Sequence, residues 1–332
     1  MTPQSLRAIG LVVVLAAAPL AALRAQDSLR LRAFSLTTDS TIYPLVALAP
    51  GVYAVPGDSG SGAEGRPNAG FVVTRAGIIA VGGVASPAQG RAVIRTIRTV
   101  SAQPIRYLIL YAHHPDMMFG AIEFKRLGAR IVAHPDLRVL AAEGGRDAMV
   151  ADWDQVVGLQ ELLGFEYADV PDLPVTGWDT LALGSRTVVA IHPGPAHSAG
   201  DLMVWLPAER VLFAGDILLP DGVTMVVDGN STVLLRTLDL IDSLNPAVIV
   251  PGHGDLSRDP RALTRLTRSY VTALRDSMRA EVKRGTSMRE ALERLPPPDR
   301  GRPVSLHSRE RRNALRVYLE MEREVLGLED EP

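Results

Sequence analysis

The 332-residue chain contains no cysteine, which excludes disulfides, thiolate metal ligands and a lipidated N-terminal cysteine together. Any metal it binds must be held by histidine and carboxylate. It also lacks a block of basic residues: 35 Lys and Arg nearly cancel 37 Asp and Glu. The electrostatic footprint of a nucleic-acid binder is therefore missing, and a small-molecule or peptide-sized substrate is the expected partner. What is present is apolar: a hydrophobic share of 47% excludes a disordered chain and suffices for one large layered domain plus an appendage.

Residues 1–25 read as a secretory signal, with Arg7 as the positive start, an apolar run over 8–23, and Ala25 as the small residue before cleavage. The run falls just short of the ~20 residues that span a bilayer, so an uncleaved anchor is the competing reading. The small-residue ending Leu23-Arg24-Ala25 favours cleavage near Gln26. The expected location is the periplasm or the medium, with membrane contact only through the signal segment.

Past residue 43 the chain reads as strands punctuated by Gly- and Ser-rich turns: 51–55, 68–73 and 77–81. Helical spacing follows over 89–100, a buried strand over 106–111, a helix over 119–127 and a strand over 130–133. Residues 141–179, with Trp153 and Trp178, are less regular and read as a loop or short-helix insertion. A second strand series covers 187–192, 203–206, 211–214 and 248–250, with a helix over 232–244. Two strand-rich halves with helices outside predict an α/β, four-layer αββα sandwich over 43–259. Helices over 261–284 and 309–326, interrupted by Leu295-Pro-Pro-Pro298, form a C-terminal helical extension, 260–332.

Seven histidines occur, and several sit just beyond predicted strand ends, where rigid strands can hold converging ligands. His114 and Asp116 follow the strand at 106–111 within Tyr111-Ala-His-His-Pro-Asp-Met-Met-Phe-Gly120; two apart in an extended loop, they project to the same side. His197 and Asp201 lie in a Gly- and Pro-rich turn after 187–192. Asp216 ends Phe213-Ala-Gly-Asp216, and His253 ends Val250-Pro-Gly-His253. His134, His192 and His307 read as structural or solvent-facing.

Taken in order, Gly194-Pro-Ala-His197-Ser-Ala-Gly-Asp201, Val211-Leu-Phe-Ala-Gly-Asp216 and Pro251-Gly-His253-Gly254 resemble the metallo-β-lactamase superfamily over nearly the whole chain past the signal. That family carries a His-x-His-x-Asp-His loop, a later His turn, a bridging Asp and a late Gly-His. Alignment on Asp116 puts Ala112 and Met117 where two histidines belong, and Gly82 where an Asp props the loop. The resemblance implies a first metal on His114, His197 and Asp216, and a second on Asp116, Asp216 and His253. His113, beside the lost position, is a substitute ligand only if the loop shifts, because neighbours in an extended segment face opposite ways.

Three protein ligands plus water suit catalytic zinc, one ion or two, and the N/O set also suits iron or manganese. The implied activity is hydrolysis of a lactam, lactone, ester or thioester, with Asp116 as the catalytic residue that orients the water or accepts its proton. Ala112, Met117 and Gly82 support a competing expectation, a catalytically degenerate binding protein with a weak or absent metal site. A metal-dependent redox or sulfur-handling enzyme on the same fold is a third.

Overall fold

Alternation of apolar side chains between two faces builds both halves of the molecule. A computed structural model describes residues 37–58, 66–137, 146–168, 170–184, 186–295 and 304–328, without the side chains of 146–149 and 304–307. In the first half, β1 (Val46–Ala49), β2 (Val52–Val55), β3 (Ala69–Thr74), β4 (Gly77–Val81), β5 (Ile105–Ile109), β6 (Arg130–Ala133) and β7 (Leu173–Pro174) lie side by side in sequence order. The first four strands pair antiparallel and β4 to β7 pair parallel. The second sheet runs β12 (Val248–Pro251), β11 (Val211–Gly215), β10 (Met203–Leu206), β9 (Arg186–Ile191), β8 (Trp178–Leu183).

Along β3 and β4, Phe71, Ile78 and Ala80 point to an outer cluster, while Val72, Ile79 and Val81 join an inner one. Val211 and Phe213 of β11 enter the same inner cluster, and Leu212 and Ala214 face the other way. The two sheets thus share one apolar layer, each contributing alternate residues. They approach so closely that a Cβ on Gly70 would collide with the Phe213 ring.

Helices cover the outer faces. On the first sheet lie α1 (Pro87–Arg98), α2 (Pro115–Met118), α3 (Ala121–Arg126) and α4 (Arg146–Val157), with Val93, Ile97, Phe124 and Val157 in the outer cluster. Ser86 starts α1 by accepting from Gln89 N at 3.1 Å, with proline in the first turn. On the second sheet lie α5 (Ser231–Leu244), α6 (Pro260–Lys283), α7 (Met288–Glu293) and α8 (Val304–Leu326), through Leu238, Val271, Ala291 and Val317. The result is the expected four-layer αββα sandwich.

The helices after Pro260 belong to the same compact unit, Leu36–Pro332, and bind it by more than apolar contact. Glu320 of α8 accepts from the Ser231 amide at 3.1 and 3.2 Å, at the first turn of α5. Asn313 and Arg316 of α8 reach the loop before α5, donating to Thr224 O at 2.8 Å and to Gly229 O at 3.0 Å.

Two segments depart from the sequence reading. The stretch 141–179 contains α4, β7 and the start of β8, so it is more regular than expected. Trp153 packs, donating from Nε1 to Ala85 O at 2.8 Å, whereas Trp178, on edge strand β8, is 57% exposed. The helix expected over 119–127 is α3, and a further short helix, α2, occupies 115–118, where a loop was expected. Among the described residues no helix is long and apolar enough to cross a membrane; the expected signal segment, 1–25, lies outside them.

Candidate metal centre

The candidate ligands all follow the C-terminal ends of strands: His113, His114 and Asp116 after β5, His197 after β9, Asp216 after β11 and His253 after β12. Backbone contacts tie these ends together. Gly252 N donates to Gly215 O at 2.7 Å, which brings the His253 turn against Asp216, and a Cβ on Gly252 would collide with Asp216 Oδ1. Glycine is required there by the closeness of a carboxylate, not by the turn alone.

Two groups of three donors meet across Asp216: His114, His197 and Asp216, and Asp116, Asp216 and His253, with the donor atoms of each group within 4.8 Å of one another. His197 Nε2 lies 3.1 Å from His114 Nδ1 and 3.8 Å from Asp216 Oδ2. His253 Nε2 lies 2.8 Å from Asp116 Oδ2 and 3.9 Å from Asp216 Oδ1. Tetrahedral bonds of 2.0–2.1 Å put ligand atoms about 3.3 Å apart, so these separations bracket what a cation needs. Asp216 Oδ1 is buried with no hydrogen-bond partner among the described residues, a costly state for a carboxylate oxygen that a cation relieves. The Tyr111 hydroxyl is buried in the same condition; burial and the Asp216 charge push its pKa far up. The residues fit a divalent ion.

Electrostatics at the centre are set by burial working against close pairing. Burial raises Asp116, but the hydrogen bond from His253 and the neighbouring imidazoles outweigh it and hold the carboxyl below its ordinary value. Burial opposes charge on His114, yet its hydrogen bond to Asp228 and the surrounding carboxylates raise its pKa. His113 is driven down to about 4, by burial first and then by repulsion from His114.

The site differs from the sequence reading in one place. His114 and Asp116 do not share an extended loop: the chain bends at 113–114 and enters α2 at Pro115, so Asp116 stands in a helical first turn with His114 as its N-cap. Strand alternation therefore does not separate His113 from His114, and their ring centroids are 4.5 Å apart. With them stands a residue the motif reading missed, Asp228, whose Oδ2 is 3.1 Å from His114 Nε2. His113, His114 and Asp228 make a third donor group.

Supports for the ligands come from long range. His197 Nδ1 lies 2.8 Å from Met225 O, and the turn that carries His197 closes on Asp201, which accepts from His197 N at 2.6 Å and Ser198 N at 3.0 Å. Asn68, read from sequence only as the start of a strand, is buried and donates to Pro251 O at 2.9 Å and Gly254 O at 2.8 Å, on both sides of His253. Gly82 has φ +87°, and a Cβ there would meet Tyr111 Cε2 at 3.1 Å and Asn68 O at 3.2 Å. The space where the resemblance expects a propping Asp is filled by Tyr111 and the Asn68 backbone. His134 and His192 stack with centroids 4.1 Å apart, and His192 Nδ1 lies 2.8 Å from Asp201 O. They support that turn; the side chain of His307 lies outside the described residues.

The chain is similar in sequence and fold to known proteins. The chain is 32% identical over 91 residues to a metallo-beta-lactamase type 2 of Bacteroides fragilis, covering 26% of this chain and 36% of that protein. It is 25% identical over 178 residues to an atrochrysone carboxyl ACP thioesterase of Aspergillus chevalieri, covering 48% and 55%, and 35% identical over 83 residues to a hydroxyacylglutathione hydrolase of a Methylobacterium species, covering 25% and 32%. The chain thus spans about a third to a half of the length of these curated relatives. A metallo-beta-lactamase family protein of Thermus thermophilus superposes with a TM-score of 0.62 at 19% identity, over 85% of this chain and 95% of that one. With candidate ligands on turns at four strand ends of an αββα sandwich, and with the family model of the metallo-beta-lactamase superfamily matching residues 65–253, this chain belongs to that superfamily.

Proposed function

We propose that the chain is an exported metallo-hydrolase acting on a carbonyl-type small molecule, a lactam, lactone, ester or thioester. In this reading His114, His197 and Asp216 hold one cation and Asp116, Asp216 and His253 a second, zinc in the first instance, with iron or manganese compatible with the same donors. The observation that carries the proposal is Asp216, shared between two three-donor groups and buried with one oxygen unpaired among the described residues. A divalent cation held by these residues would supply Lewis acidity, bringing the pKa of a bound water down to about 7, as zinc does, and offsetting charge on a carbonyl oxygen.

The chain's own groups do the rest. Met225 O orients the His197 ring, so that Nε2 faces the hollow with its lone pair. Asp116, held below its ordinary pKa, stays ionised and orients a water through a carboxylate oxygen; it is a weak store for the proton. The substrate class is supported by relatives that are named as a beta-lactamase, a thioesterase and a hydroxyacylglutathione hydrolase. Export is supported by Arg7, the apolar run over 8–23 and Ala25.

The test is a panel of lactam, lactone, ester and thioester substrates assayed before and after chelation, with Asp216→Asn and His253→Ala alongside. A cation-dependent activity unchanged in both variants sinks the reading. A second reading, a binding protein that keeps the cleft without the chemistry, is favoured by one observation: Ala112 and Met117 are 2% and 0% exposed and belong to the apolar layer between the sheets. It predicts no cation dependence for any substrate.

A further inference from the structure

The third donor group lies outside the ligand set that the family resemblance implies. We propose that His113, His114 and Asp228 form an outer cation position, an alternative seat for the first ion, whose place beside His197 is weakened by the absence of an imidazole at Ala112. The inference rests on the reading that the hollow takes a divalent ion.

His114 has its two nitrogens engaged on opposite sides. Nδ1 is 3.1 Å from His197 Nε2, in the hollow, and Nε2 is 3.1 Å from Asp228 Oδ2, on the outer side. A neutral imidazole offers one lone pair, so it serves one side at a time. On the hollow side it has His197 and Asp216 for company; on the outer side it has His113 and Asp228, whose donor atoms lie with its own within 4.8 Å. Two imidazoles and a carboxylate suit zinc, and equally iron or manganese.

Two further observations point the same way. His113 Nδ1 is buried with no hydrogen-bond partner among the described residues, a state of an imidazole that ligation relieves. Asp228 is half exposed at the side chain, 51%, but its backbone is built in. It forms an isolated bridge with Ser198, next to His197. Gly229 beside it is packed so tightly on Ala196 that a Cβ would collide with the carbonyl, and its own carbonyl accepts from Arg316 Nε at 3.0 Å. The carboxylate is therefore delivered to the outer edge of His114 by a fixed segment.

The rival is that Asp228 only orients His114, by accepting Nε2–H. That role gives His113 no part, which makes His113 the discriminating residue. The experiment titrates the chelator-treated full chain with cobalt(II), reading visible absorption for the ligand environment and bound metal for stoichiometry. It compares wild type, His113→Gln, His113→Ala, Asp228→Asn and His253→Ala, with far-ultraviolet circular dichroism to confirm folding.

The proposal expects both His113 variants and Asp228→Asn to weaken the same cobalt equivalent at least tenfold and to alter its spectrum. The double variant His113→Gln/Asp228→Asn loses that equivalent, and His253→Ala loses the other equivalent while keeping the His113-dependent one. Folded His113 variants that bind cobalt with wild-type affinity, stoichiometry and spectrum overturn the outer position and leave the proposed function standing. A wild-type chain that takes up no cobalt overturns both.

Discussion

His197 Nδ1 lies 2.8 Å from the carbonyl oxygen of Met225, a contact that makes Nδ1 the protonated nitrogen and leaves Nε2 as the donor facing His114 and Asp216. Met225 is in turn held by the outer helical layer. Asn313, in α8, accepts from Val226 N at 2.9 Å and donates to Thr224 O at 2.8 Å, clamping the residues on either side. The C-terminal helices thus act on the centre through the loop 221–230, without contributing a ligand.

Replacing Asn313 by alanine tests that link. Asn313 is buried, and its loss leaves a backbone donor and acceptor without partners in the interior, at a cost of about 2–4 kcal/mol. Urea unfolding is expected to show that destabilisation, and zinc affinity to fall roughly tenfold as the His197 ring loses its fixed orientation. Zinc affinity unchanged in a destabilised variant separates α8 from the centre.

Asn68→Ala tests the opposite side. The two amide hydrogen bonds to Pro251 O and Gly254 O cross 183 and 186 residues of chain and fix the His253 turn against β3. Expected outcomes are a loss of about 2–3 kcal/mol in unfolding free energy and a cation defect confined to the equivalent that His253→Ala also removes. A defect in the other equivalent instead contradicts the assignment.

A third expectation concerns pH in the absence of metal. Asp228 is lowered from 3.8, chiefly by its hydrogen bond with His114, so its contribution to stability is present above 3.8 and is lost as pH falls through its lowered value. His114 is raised from 6.5: burial opposes the charge, but the bond to Asp228 and the nearby carboxylates prevail. Its contribution is present below 6.5 and is lost as pH rises through the raised value. The chelated protein and its Asp228→Asn variant should therefore differ most in unfolding free energy near about pH 5 and converge above the His114 transition. A difference that grows from pH 5 to pH 9 contradicts the pairing.

The His197 and His253 turns were legible in the sequence because Gly and Pro punctuate each one locally, directly after an apolar strand. The double sheet was legible from the period-two alternation in segments such as 68–73 and 77–81. Edge strand β8 was not: all six of its residues are exposed or half-buried, so no buried face marks it. Helix α4 begins beside the undescribed stretch 138–145 and carries polar residues on every side, which hides its period. Asp228 escaped because it follows no strand, and its contact with His114 spans 114 residues. Asn68 and Asn313 escaped for the same reason: a clamp made across the fold leaves no local pattern.

The central claim is that the hollow around Asp216 is a cation site. Isothermal titration of the chelator-treated wild-type chain with zinc, paired with thermal unfolding, tests it most directly. Uptake of one or two equivalents is expected, with a rise in unfolding free energy of about 2.7 kcal/mol per equivalent when free zinc reaches one hundred times Kd. Absence of binding heat together with an unchanged unfolding temperature at every zinc concentration would contradict it.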